Sequence, residues 1–412
     1  MSQLKELLGI RDFRFLWTAQ VASDFGDSLT FLTLMILIQR LTGSTVALAG
    51  LMIAITLPSL IFSVISGVYV DRFDRKMTMI VSDTIRAVVV LGFLFVQSED
   101  LVPVIYALAF TQAAIGTLFN PSRSAWLPSI VGEEKLLAAN SVSQTSRIIF
   151  NVLGTATAGI LASLSTSLSV AFVVDSLTFL TSALLITRIR TSGKPQRGEK
   201  GRVWSEMVSG FGVMLSSRPL KGVLISLTVA MFGIGAVNVL IVPMLIDDLQ
   251  VSEAFFGAVE ASQVIGMVIS GAAVAALARK LRPSTLVSVG LIGVGVAVGA
   301  IAGISAIWHL MILLFFVGLS VGPAQAGVST LSQTLVEDSM RGRVGGVLNA
   351  LISGATVLSM GLAGIAAAAI GTRNVFLVAG VFSIVAGLLA FWFFKGLSES
   401  EEKGLPAVVD SV

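Results

Sequence analysis

Twelve stretches of about twenty mostly apolar residues, divided by short polar punctuation, constrain this chain more than any other feature. A helix needs roughly 20 apolar residues to cross the hydrocarbon core of a bilayer. Breaking the sequence at charged and turn-forming residues gives spans at 16–39, 46–70, 77–97, 101–122, 136–163 and 167–189, then 219–245, 254–278, 284–304, 307–331, 343–370 and 374–396. Only 12% of the residues are charged, against roughly 25% in a soluble domain, so water cannot be the main solvent. The expected fold class is an all-α membrane protein of twelve transmembrane helices.

The basic residues set its orientation. Of 27 Lys and Arg, all but four fall on segments of one parity: Arg40 and Arg373 lie on the other side, and Arg86 and Arg147 lie within spans. Cytoplasmic loops carry the excess of Lys and Arg, which predicts a multi-pass membrane protein with both termini inside. The N-terminus lacks the small-residue cleavage site of a signal peptide. Leu4 to Phe15 reads either as an amphipathic helix on the cytoplasmic surface or as an unstructured leader. The predicted organisation is an N-terminal segment at 1–15, a six-helix bundle at 16–189, a basic cytoplasmic linker at 190–218, a second six-helix bundle at 219–396 and a tail at 397–412. Val203 to Leu215 in the linker reads as a surface helix, its basic neighbours facing anionic lipid rather than nucleic acid.

The halves repeat weakly. Leu127-Pro-Ser-Ile-Val-Gly-Glu-Glu134 matches Ser332-Gln-Thr-Leu-Val-Glu-Asp-Ser339, and the same offset carries Ala158-Gly-Ile160 onto Ala363-Gly-Ile365. Near that offset Gly67 falls on Gly271, and Arg75-Lys76 on Arg279-Lys280. Parallel repeats of this kind are the mark of a two-lobed transporter.

Between spans two and three stands Gly67-Val-Tyr-Val-Asp71-Arg72-Phe-Asp-Arg75-Lys76. It resembles the G-x-x-x-D-R-x-x-R-[KR] signature of the major facilitator superfamily, in the loop where that family carries it. Phe15-Leu-Trp17 through Gln20, Leu41-Thr-Gly-Ser44, Phe119-Asn-Pro-Ser-Arg123 and Gln333 through Arg341-Gly-Arg343 resemble the branch containing macrolide-efflux proteins and the enterobactin exporter. The resemblance runs from about residue 11 to 396 and implies two pseudo-symmetric six-helix bundles. Asp71 is expected near the start of the eleventh span, where it meets a helix N-terminus and Arg341 or Arg343. Gly67, Asp71, Arg72, Arg75 and Lys76 would then form a latch that closes on the cytoplasmic side and favours the outward-facing state. In the second half the acid and first arginine are replaced by Ala275 and Ala276, so the latch is asymmetric.

A charge in a helix centre costs roughly 2.5–3.5 kcal/mol on insertion scales, so each intramembrane charge needs a reason. Asp24, Asp27, Arg147 and Glu260 are the candidate coupling groups; the resemblance makes the first and fifth spans neighbours, which implies that Asp27 pairs or exchanges partners with Arg147 at a cavity wall. A buried carboxylate has its charged form disfavoured, which suits it to proton exchange. Asp83 and Arg86, three apart on one face, and Asp175, on what the resemblance makes a peripheral helix, read as structural charges. Gln20, Phe31, Gln112, Phe119, Asn238 and Gln325 are the candidate lining of a substrate cavity. Gly295, Gly299 and Gly303 form a small-residue stripe for helix packing.

With no cysteine, disulfides and thiolate metal sites are excluded; one histidine, His309, leaves a multi-His metal site or a Ser-His-Asp triad very little to build on, and no catalytic set, metal site or cofactor is expected. No phosphate-binding G-x-x-x-x-G-K-[ST] loop is present, which removes ATP-driven transport. The expected function is proton-coupled export of amphipathic small molecules, by a monomer whose partners are substrate, protons and lipid. Siderophore export, lysophospholipid movement, metabolite uptake and a non-transporting membrane sensor stay open. Two departures bear on direction and ion: span four has Gln112 and Gly116 without the arginine of many proton antiporters, and the span-five exporter motif survives only as Gly154-Thr-Ala-Thr-Ala-Gly159.

Overall fold

The computed structural model describes residues 2–70, 72–164, 168–194, 209, 211–277 and 281–397. In a bilayer the backbone must satisfy its own polar groups, which leaves helices or closed barrels, and the described residues contain helices and no strand. The helices of the first half are α1 (Ser2–Gly9), α2 (Arg11–Thr42), α3 (Thr45–Val70), α4 (Arg75–Leu91), α5 (Val102–Gly116), α6 (Phe119–Val131), α7 (Leu136–Leu164) and α8 (Ser169–Thr187). Those of the second are α9 (Arg218–Pro243), α10 (Phe256–Leu277), α11 (Pro283–Ala300), α12 (Ile307–Leu335), α13 (Asp338–Ile370) and α14 (Thr372–Phe394). Among the described residues, twelve spans are long and apolar enough to cross a membrane, with α5 and α6 sharing one of them, Glu99–Val131. Each overlaps a span expected from the sequence.

The chain divides into two compact units: 1–199 with 252–257, and 200–251 with 258–412. In the first, α2 packs against α7 and α8, α4 against α8, and α3 against α5. Its core at one end gathers Leu7, Phe13, Leu16, Phe119, Trp126 and Leu127. The N-terminal segment therefore differs from the expectation: α1 stops at Gly9, and Arg11 to Phe15 already belong to the first membrane helix. Leu7 is 1% exposed, and Lys135 Nζ pairs with Glu6 Oε1 at 2.7 Å, so α1 docks on protein rather than lying free on a surface.

In the second unit α11 packs against α12 and α14, and α9 against α13 and α14. The small-residue stripe works where α11 crosses α14. A Cβ on Gly380 would come within 2.5 Å of the Gly299 Cα, and one on Gly295 within 2.6 Å of the Gly380 carbonyl oxygen. Gly303 meets nothing within 4 Å, so the stripe is two residues long, not three. The expected surface helix of the linker falls largely outside the described residues; its end at 211–214 is helical, and Met214 is buried in the second core.

Large apolar side chains stand exposed along α14, among them Leu377, Val381, Leu388, Phe391 and Trp392. In water so long an apolar face would drive association. In lipid it is the ordinary outer surface.

Candidate functional site

The polar interior of the first unit is built on two seams of α2. Gln20, Asp24 and Ser28 recur every four residues and so share one helical face; they meet Ser143, Arg147 and Asn151 of α7, spaced the same way. Gln20 Nε2 donates to the Ser143 carbonyl at 3.4 Å and to Asp24 Oδ2 at 3.2 Å. Ser28 Oγ donates to Asn151 Oδ1 at 3.0 Å. Arg147 Nε stands 3.7 Å from Asp24 Oδ1, and its Nη2 donates to Asn120 Oδ1 at 2.8 Å. Arg123 Nη1 closes the seam by donating to Gln20 Oε1 at 2.7 Å.

The second seam faces α4 and α8. Arg86 Nη2 donates to Asp27 Oδ1 in a short ion pair, while Nη1 lies 3.7 Å from Asp83 Oδ1. The guanidinium also stacks 4.1 Å from the Phe179 ring centroid, a placement that favours a cation. Ser182 Oγ donates to Asp83 Oδ2 at 2.5 Å. One turn along α2 from Asp27, Thr30 Oγ1 donates to Asp175 Oδ2 at 2.5 Å, and Thr178 Oγ1 lies 2.7 Å from the Asp175 backbone carbonyl oxygen and 3.2 Å from Oδ1. Exposure grades the cluster: Asp83 and Asp175 are 0% exposed, whereas the Asp27 side chain is 40% exposed.

The expected Asp27–Arg147 pair is therefore replaced. Arg147 takes Asp24, on the α7-facing seam, and Asp27 turns about one residue round the helix to Arg86. Residues three apart on a helix point in directions about 60° apart, enough to send Asp24 and Asp27 to different neighbours. Asp83 and Arg86 do meet, as their spacing predicts, but they share the guanidinium with Asp27 instead of satisfying each other alone.

The expected cavity lining differs in exposure. Gln20, Gln112 and Phe119 are buried, Phe119 within the apolar core, so Phe119 is packing and not cavity wall. Phe31, Asn238 and Gln325 are exposed on α2, α9 and α12. Glu260 is half-buried on α10, and His309 is exposed.

Asp71 lies outside the described residues, as do Arg279 and Lys280, and Gly67 is described only as part of α3. Arg72 is exposed. The rest of the motif binds within the first unit. Asp74 caps α4 by accepting from the Met77 amide at 3.0 Å, and Arg75 Nη1 donates to the Ala125 carbonyl at 2.9 Å. Lys76 Nζ donates to the carbonyls of Thr187 at 3.0 Å and Ile189 at 2.7 Å. These close the C-terminus of α8, where unsatisfied carbonyls favour a cation.

Sequence reasoning missed Arg123, Asn120, Asn151, Thr30, Thr178 and Ser182. Arg123 reads as a loop charge, yet it lies inside α6. Asn120 and Arg123, three apart and flanking Pro121, were the available signal. The hydroxyls carry none, because Ser and Thr in membrane helices usually bond their own backbone. At the other end of α2, Arg40 Nη2 donates to the Ala162 carbonyl at 2.7 Å and to Glu253 Oε1 at 2.9 Å.

The family profile that matches residues 7–407 is described as a transmembrane secretion effector. This chain belongs to that family of major facilitator transporters. It is 27% identical to the uncharacterized MFS-type transporter YfiS of Bacillus subtilis, over 93% of each chain. It is 25% identical to macrolide efflux protein A of Streptococcus pyogenes, over 92% of this chain and 94% of that one. A bacterial homologue of the human lysosomal transporter Spinster superposes with a TM-score of 0.73 at 14% identity, covering 95% of this chain and 96% of that one. The transporter is thus a multi-pass bacterial membrane protein with the major facilitator fold, and it is not an enzyme.

Proposed function

We propose that this transporter exports amphipathic small molecules in exchange for protons across the inner membrane, as a monomer with both termini in the cytoplasm. The observation that carries the reading is the Asp27–Arg86 pair. Asp27 is half-exposed while Arg86 is buried to 7%, so a proton from water can reach the carboxylate and compete with the cation for it. A proton that displaces Arg86 changes the packing partners of α4, and a two-state change in packing is what links ion binding to conformation. Asp24 with Arg147 forms a second, shallower exchange pair. The likeness to a macrolide efflux protein supports export and amphipathic cargo. Asp71 is proposed to latch the cytoplasmic side through the start of α13.

The test is efflux from proteoliposomes with an imposed pH gradient, screened with macrolides, dyes, catechol siderophores and lysolipids. Gradient-driven movement of at least one amphipathic compound is expected, abolished by a protonophore and lost with Asp27→Asn. Efflux that runs undiminished in that variant sinks the coupling role. Movement of none of the compounds, with no proton flux, sinks export itself.

A further inference from the structure

We propose that Asp175 is a proton-binding site, held as the neutral acid, and that it is the store on which the antiport proposed above draws. Three carboxyls, Asp27, Asp83 and Asp175, interact electrostatically with one guanidinium, that of Arg86. Asp27 accepts from one of its terminal nitrogens, and Asp83 Oδ1 lies 3.7 Å from the other. Among the described residues, no Lys or Arg nitrogen comes within 4 Å of Asp175. An ionised carboxylate that is fully buried without a cation costs several kcal/mol. Were all three acids ionised, the surplus would be two negative charges, with Asp83 and Asp175 both 0% exposed. With Asp175 neutral the surplus falls to one, beside the half-exposed Asp27, where water screens it.

The hydroxyls around Asp175 complete a neutral acid. Thr30 Oγ1 donates to Oδ2 at 2.5 Å, which assigns the proposed proton to Oδ1. Thr178 Oγ1 lies 3.2 Å from Oδ1 and can give its own hydrogen to the Asp175 backbone carbonyl, 2.7 Å away. Its lone pairs are then free to accept a hydrogen carried on Oδ1, since a hydroxyl both donates and accepts. Every polar atom of the protonated group thereby has a partner. The pocket is built for it: a Cβ at position 26 would lie 2.2 Å from Oδ1, so only glycine next to Asp27 leaves room for the carboxyl. On the helices packed around α8 the mid-span charges are Asp24 and Asp27 on α2, Asp83 and Arg86 on α4, and Arg147 on α7, whose partner is Asp24; Arg11, Asp12, Arg14 and Arg40 stand near the ends of α2, and Arg75 and Lys76 at the start of α4.

Infrared difference spectroscopy of the purified full-length protein at neutral pH, in H2O and D2O, reads the protonated carboxyl directly. The expected result is a protonated-carboxyl stretch that is lost in Asp175→Asn, retained in Asp83→Asn and shifted in frequency in Thr30→Val. A wild type without that band overturns the proposal, as does a band lost in Asp83→Asn but kept in Asp175→Asn. If Asp175→Asn does not fold, the Thr30→Val shift decides: an unmoved band overturns the assignment. The measurement uses no substrate and no gradient. Failure of proton-driven efflux with the band intact therefore falls on the antiport reading, and loss of the band with efflux intact falls on Asp175.

Discussion

At the scale of single residues, the first unit depends on one arginine. Arg86 sits between Asp27 and Asp83 and against Phe179, and each contact uses a different part of its planar fork. Removing it leaves Asp83 buried without a cation, the situation that costs roughly 3–5 kcal/mol when one partner of a buried pair is deleted. Arg86→Met should therefore lower the thermal midpoint in detergent sharply. Arg86→Asn with Asp83→Asn, which removes both members, should recover much of the loss. A double variant no more stable than Arg86→Met would show that the arginine acts by packing rather than by charge. Lys76 is a smaller case of the same logic. Its ammonium holds two carbonyls at the end of α8, and hydrogen bonds to charged groups contribute about 1.5–3 kcal/mol. Lys76→Met should lose about that much in a denaturation series, where a loss within error would reduce it to a surface anchor.

At the scale of elements, helices without a hydrophobic drive between them associate by close packing, so small residues decide where they cross. Gly380 of α14 lies with its missing Cβ 2.5 Å from the Gly299 Cα, whereas Gly303 faces open space. Gly380→Ala must push two backbones apart and should cost about 1–3 kcal/mol, the range for overpacking. Gly303→Ala should be near neutral. Equal effects of the two in thermal melts would mean that α11 and α14 do not cross at this point. The seams of α2 follow the same geometry. A helix that packs on both α7 and α8 needs polar residues on two faces, which is why its four-residue polar rhythm breaks between Asp24 and Asp27.

At the scale of the whole molecule, topology is the first thing to measure, and the chain makes it simple because it has no cysteine. Glu99 and Glu134 are both exposed, between α4 and α5 and between α6 and α7. With the termini inside, Glu99→Cys should react with a membrane-impermeant maleimide on intact cells, and Glu134→Cys only after permeabilisation. The reverse pattern would invert the proposed orientation and with it the direction of export. Asp71→Asn, by contrast, should leave stability nearly unchanged while increasing access of that reagent to a cysteine introduced on the cytoplasmic side, in inverted vesicles. No change in access would remove the latch.

The twelve spans, the helical class and the family were legible in the amino-acid order. Span length, the scarcity of charge and the Gly67–Lys76 motif are local properties, and lipid forces each apolar stretch to be a helix whatever its neighbours are. The buried charges were legible as residues that need a reason, but their partners were not. Whether Asp27 meets Arg147 or Arg86 depends on which way neighbouring helices are rotated, and a rotation of a few tens of degrees leaves no mark on any one segment. Arg123 passed for a loop residue because the sequence does not show that α6 continues its span. Thr30, Thr178 and Ser182 were silent for a similar reason: a hydroxyl facing its own backbone and one facing a buried carboxyl are the same letter. Sequence alone determined that this protein lives in a membrane and carries costly charge there; only the packing of α2, α4, α7 and α8 decided which acids share a cation and which one is left without.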